Sequence, residues 1–93
     1  MPLPRTDVEQ ALERKLRFDR QESDHRYFTL EIDGRVVART KTSHGTKHRE
    51  IGDQLVGTMA RQLHVSRSQF EAVVRCTRSR DEYLAALRER GFI

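Results

Sequence analysis

The chain has no tryptophan, one cysteine and two prolines among its 93 residues, and no apolar run approaching the ~20 residues of a membrane span. Each shortage excludes something. A single cysteine, Cys76, rules out an internal disulfide and fits a reducing compartment rather than a stapled secreted domain. The opening "MPLPRTDVEQ" holds no apolar signal-peptide core, so a cytoplasmic location without a membrane partner is expected. With 35% apolar residues, burial must lean on Phe18, Phe28, Phe70 and Phe92. A chain of this length makes one domain, residues 1–93, with an adequate but thin core.

Positive charge is in modest surplus. Lysine and arginine number 18 against 14 acidic residues, a formal charge of +4 and a pI of about 9.8. That balance favours a polyanionic partner, although many small basic proteins bind no nucleic acid.

Three helix starts share one device. Thr6 with Glu9, Ser66 with Gln69 and Ser79 with Glu82 are capping-box pairs, in which side chains satisfy free backbone N–H groups reciprocally. Val8, Ala11, Leu12 and Leu16 then predict a helix near 7–18. Ile51, Leu55, Val56, Met59, Ala60 and Leu63 repeat every three to four residues and predict another near 49–64. Gly52 and Gly57 weaken it by roughly 1 kcal/mol each relative to Ala, and glycine there would permit close packing on a sheet. Phe70, Val73 and Val74 define a short helix after Ser66. Tyr83, Leu84 and Leu87 define the last one, with Gly91 as its stop.

The strands fall in 19–42. "RYFTLEI" and "RVVART" alternate around "DG", a strong hairpin signal. A two-residue loop would set Leu30 opposite Val37. A three-residue loop with Gly34 left-handed pairs Glu31 with Arg35, Leu30 with Val36 and Phe28 with Ala38. The second register is preferred, because it makes one apolar face and pairs opposite charges on the other. A third strand near "RFDRQE" is expected, since a lone hairpin is marginal. The fold class is therefore α+β: a helix, a three-stranded antiparallel sheet, then helices packed on one face, with a C-terminal helical extension.

Two histidines bracket the hairpin. His25 stands at the entrance of the second strand, where a rigid scaffold holds a side chain within reach of solvent. Histidine can take a proton from an RNA 2′-hydroxyl and return one to the leaving oxygen, with no metal or cofactor. Arg20, Arg26 and Lys41 would hold the phosphate. A surface histidine at a strand entrance is the plainer alternative. His44 and His48 lie in "SHGTKHRE" before a helix, where Lys47 and Arg49 add charge and the helix start favours anions. His44 and Lys47 are thus candidate phosphate contacts. No further Cys, Asp or Glu stands nearby at ligand spacing, so no metal is expected.

A helix, three strands and a following helix, with a histidine between the first and second strands, resembles the HicA toxin family. The match is carried by "SDH" at 23–25, "RYFTLEIDGRVVART" and "REIGDQLVGTMARQL", over about residues 6–64. That family has a double-stranded-RNA-binding-domain-like fold and cleaves messenger RNA, and a HicB antitoxin neutralises it. The resemblance implies a catalytic role for His25 alone, since Ser23 and Asp24 do not reproduce the family's Gly-Ser-His order. It implies mRNA and a HicB-like antitoxin as partners, and residues 65–93 exceed the minimal toxin.

A competing pattern lies in that excess. "MARQLHVSRSQFEAVV", within 59–75, reads as a helix-turn-helix, with His64 at the turn position usually filled by glycine. Arg67, Ser68, Gln69 and Arg75 would then face a DNA major groove. Two amphipathic helices and a capping box produce the same pattern without DNA. The expected function is an RNA-binding, RNA-cleaving, toxin-like endoribonuclease. A DNA-binding regulator and a non-catalytic protein-interaction module are the alternatives.

Overall fold

The computed structural model describes residues 2–43, 49–75 and 78–93. The protein is α+β. Strand β1 (Leu3–Pro4) leads into α1 (Arg5–Gln10), which continues over Ala11–Lys15 with wider, π-type hydrogen bonding. Strands β2 (Asp19–Glu22), β3 (Arg26–Ile32) and β4 (Arg35–Thr42) form an antiparallel sheet in the order β2-β3-β4. Strand β5 (Glu50–Ile51) pairs with β1, and helices α2 (Asp53–Gln62), α3 (Arg67–Val74) and α4 (Arg80–Glu89) follow.

The first helix departs from its expected start and end. It begins at Arg5 behind Pro4, with no side-chain cap, so Thr6 does not form a capping box. The carboxylate of Glu9 turns inward instead. It accepts from Arg26 Nη1 at 3.0 and 3.1 Å and from Thr42 Oγ1 at 2.6 Å, and the residue is 6% exposed. A buried carboxylate needs such partners, because an unpaired charge in the interior is strongly unfavourable. Leu16 N–H reaches Ala11 O at 2.9 Å, an i→i−5 bond that widens the last turn. Arg17, at φ +59°, then turns the chain into β2.

The hairpin takes neither expected register. Asp33 (φ +52°) and Gly34 (φ +78°) form a two-residue turn that pairs Ile32 with Arg35 and Glu31 with Val36. A bulge at Val37 then shifts the ladder, so that Leu30 faces Ala38 and Phe28 faces Thr40. Glu31 does not face Arg35, and Val36 is 56% exposed rather than buried. One extra residue on β4 lets the tight turn and the apolar face coexist: Val37 and Ala38 both reach the core while Val36 turns out.

Helix α2 is shorter than the 49–64 reading, because Glu50 and Ile51 extend to pair with Pro4 and Leu3 and Gly52 caps the helix in an extended conformation. Val56, Met59, Ala60 and Leu63 are buried, but Leu55 is 60% exposed. Gly57 admits the guanidinium of Arg67 rather than the sheet, since a Cβ there would stand 2.8 Å from Arg67 Nη2. The capping boxes at Ser66 and Ser79 both form. Gly91, at φ +82°, ends α4, with Phe92 N–H reaching back to Leu87 O.

One hydrophobic cluster joins the first helix, the inner sheet face and the last three helices. Val8, Leu12, Phe28, Phe70, Val73, Tyr83 and Leu87 all belong to it. Polar ties run between the same elements. Lys15 Nζ donates to Val73 O and Val74 O at the end of α3, where a cation also meets the negative end of the helix dipole. Arg80 Nε donates to Leu16 O, and Tyr83 Oη to Leu63 O. No helix among the described residues is long and apolar enough to cross a membrane.

Candidate functional site

His25 precedes β3 in a turn organised by Asp24. The Asp24 carboxylate accepts from Ser23 Oγ (3.0 Å), the His25 backbone N–H (3.0 Å) and Tyr27 Oη (3.2 Å). These bonds, Ser23's first, hold its pKa below the usual carboxylate range. The turn is therefore fixed by a charged side chain, and the imidazole projects from a held backbone. The His25 ring meets Tyr27 edge-on, with centroids 6.2 Å apart. Among the described residues neither ring nitrogen of His25 has a hydrogen-bond partner.

His25 lines a cleft of about 210 Å³ between the open end of the hairpin and α2. Arg5, Lys41 and Glu50 supply charge to its wall, and Ile51, Leu55 and Met59 make an apolar side. Arg5 is steadied by a bond from Nη1 to Ser43 O at 3.0 Å. The exposed Leu55 is thereby accounted for: it stands on the cleft-facing flank of α2.

The site residues read from the sequence divide into three groups. His25 and Lys41 line the same cleft. Arg20 and Arg26 are engaged with carboxylates. Arg20 bridges Glu22 at 2.7 Å and Glu13 at 3.2 Å, and Arg26 bridges Glu22 and Glu9 at 3.0 Å each. Bonding to Glu22, then Glu13, raises the Arg20 pKa, and Arg20 in turn holds Glu22 below the usual carboxylate range. His44 and Lys47 lie outside the described residues, as do His48 and Cys76. No group of three or more metal-ligating side chains occurs among the described residues.

The helix-turn-helix segment has the backbone expected of it at one point. His64 adopts φ +64°, the conformation for which glycine is favoured at that position. Its side chain is engaged within the fold: Nε2 lies 2.9 Å from Val37 O, and the ring stacks on Phe92 at 3.9 Å. Arg67 folds back over Gly57 to donate to Asp53 O at 3.0 Å, and Gln69 closes the capping box with Ser66.

The sequence reading missed Tyr27, whose ring meets that of His25, and Arg39, which packs on Tyr27. Arg39 lies over the Tyr27 ring, its guanidinium carbon 4.7 Å from the centroid, and Lys41 is the cross-strand partner of Tyr27. Period-two alternation already sets Tyr27 and Thr29 opposite the apolar face. The position of Arg39 relative to Tyr27 depends on the bulge, which no local signal announces. No protein-family model matches the chain, and no curated protein or solved structure matches it.

Proposed function

We propose that the protein is an RNA-binding endoribonuclease with His25 as general base, acting on single phosphodiesters brought into the cleft beside Lys41. The observation that carries this reading is His25 itself. It is a backbone-anchored imidazole with both ring nitrogens unengaged among the described residues, in a cleft that also presents a cation. In the reaction His25 takes the proton of the 2′-hydroxyl, and the 2′-oxygen bonds to phosphorus. The bond to the 5′-oxygen breaks, and the imidazolium returns its proton to that oxygen. The products are a 2′,3′-cyclic phosphate and a 5′-hydroxyl. Lys41 opposes the charge that gathers on the phosphoryl oxygens. Arg20 and Arg26 support the hairpin mouth through their ion pairs with Glu22 and Glu9 rather than meeting phosphate first.

The order of helix, three strands and helix also agrees with the double-stranded-RNA-binding-domain-like arrangement of HicA toxins. On that reading the RNA is a messenger, and a HicB-like antitoxin would cover the cleft. The DNA-regulator alternative draws less support, because Arg67 and Gln69 are committed to contacts within the helices.

The test is His25→Ala. Loss of acid–base assistance lowers the cleavage rate by ~10²–10⁴-fold, with thermal stability and RNA affinity near those of the unaltered protein, and it relieves any growth inhibition. A substrate with a 2′-deoxy sugar at the scissile position resists cleavage. Equal activity in the two proteins would refute the enzymatic reading.

A further inference from the structure

The three-stranded sheet buries one face and leaves the other open. Gln21, Tyr27 and Lys41 form one cross-strand rung of the open face, and Asp19, Thr29 and Arg39 form the next. None of these six is buried. The charge on this face is unevenly placed. Glu31 and the exposed Val36 sit together at the turn end, whereas Arg39, Lys41 and His25 gather with Tyr27 at the end that meets the cleft. Unlike Arg20 and Arg26, neither Arg39 nor Lys41 has a carboxylate partner among the described residues. The Tyr27 ring is held from three sides, by Asp24 at its hydroxyl, by His25 at its edge and by Arg39 over its face.

We propose that this open sheet face binds single-stranded RNA, with the Tyr27–Arg39 pair stacking one base and Lys41 taking the adjoining phosphate, so that the next phosphodiester enters the cleft at His25. The proposal rests on the ribonuclease reading above. A base needs an ordered π-surface or guanidinium plane on which to stack, and its phosphate needs uncompensated positive charge nearby. Both occur here at residues two apart on one strand, continuous with the cleft. The occupant is a single strand rather than a duplex, because a stacking platform can use only a base already unstacked from its neighbours. The aliphatic wall of Ile51, Leu55 and Met59 then receives the base on the far side of the scissile bond.

The experiment is fluorescence anisotropy with a labelled 2′-O-methyl oligonucleotide of about 8 nucleotides, inside the usual ~4–16 nucleotide site range. Such RNA binds but lacks the attacking hydroxyl, so affinity is read apart from cleavage. Tyr27→Leu and Arg39→Gln each weaken binding by roughly tenfold, whereas Tyr27→Phe stays within about twofold, as stacking requires. Lys41→Ala lowers the slope of log affinity against log salt by about 0.7, the value for one single-strand phosphate. Arg39 is exposed, so its variant reports on binding even where Tyr27→Leu perturbs the fold. Unchanged affinity in Arg39→Gln and Tyr27→Leu, with cleavage still dependent on His25, overturns the platform and leaves the ribonuclease. Weakened affinity in those variants, with His25→Ala still cutting normal RNA, leaves the platform and removes the chemistry. A dimer dissolved by Arg39→Gln in sedimentation, with RNA affinity unchanged, would assign the face to a second copy of the chain and overturn the proposal.

Discussion

Glu9 and Tyr83 show how single residues acquire roles that their neighbours in sequence do not indicate. Glu9 has the spacing of a capping partner for Thr6, but Arg26 and Thr42, 17 and 33 residues away, offer its carboxylate charge-assisted bonds in a drier setting. Such bonds are stronger than a surface cap. Tyr83 is 1% exposed, with its hydroxyl donating to Leu63 O at 2.9 Å. Burial pushes its phenol well above the ordinary value, which is about 10. A raised pKa means that the neutral phenol stabilises the fold fully below about pH 10, and that this contribution is lost as pH rises through the folded value. An alkaline absorbance titration should therefore show one tyrosine ionising only together with loss of the circular-dichroism signal. Tyr27, also raised but half-buried, should ionise while the fold persists. Two tyrosines titrating near 10 in folded protein would contradict this assignment.

At the scale of elements, the hairpin is governed by its turn. Asp33 and Gly34 are both left-handed, the geometry that matches the twist of adjoining strands. A methyl group at Gly34 meets nothing within 4 Å, so Gly34→Ala isolates the backbone term from any clash. The expected loss is about 1 kcal/mol, or a Tm lower by roughly 4–8 °C for a domain of this size. An unchanged Tm would mean that the turn relaxes to another conformation. The α2–α3 turn uses the same left-handed region at His64 without glycine, and the stack on Phe92 and the bond to Val37 O compensate for its strain. That turn was legible as a turn. That it binds the hairpin to the C-terminus was not, because Val37 and Phe92 lie 27 and 28 residues away.

On the scale of the whole molecule, the last three helices and the early segments share one core. Val65, Phe70, Val73, Val74, Tyr83, Leu84 and Leu87 are all buried in the cluster that contains Val8, Leu12, Leu16 and Phe28. Each such side chain stabilises the fold by about 1.5–3 kcal/mol, so the seven contribute roughly 10–20 kcal/mol, as much as the whole stability of a typical small domain, about 5–15 kcal/mol. A chain ending at residue 64 should therefore fail to unfold cooperatively in urea, and its amides should exchange rapidly with solvent. A cooperative transition in that fragment would mean that residues 65–93 are dispensable to the core.

Local patterns by themselves determined the α+β class, the three strands and the caps at Ser66 and Ser79, and they marked Asp33-Gly34 as the place of the hairpin turn. Those features depend on interactions within a few residues, or on alternation along one strand. Only the tertiary structure decided the bulge at Val37, the inward turn of Glu9, the engagement of Arg20 and Arg26 by carboxylates, and the Tyr27–Arg39 pair on the open face. Each of these depends on which of several charged or apolar partners lies nearest in space. That choice follows from how the helices cover one side of the sheet, and chain spacing does not encode it.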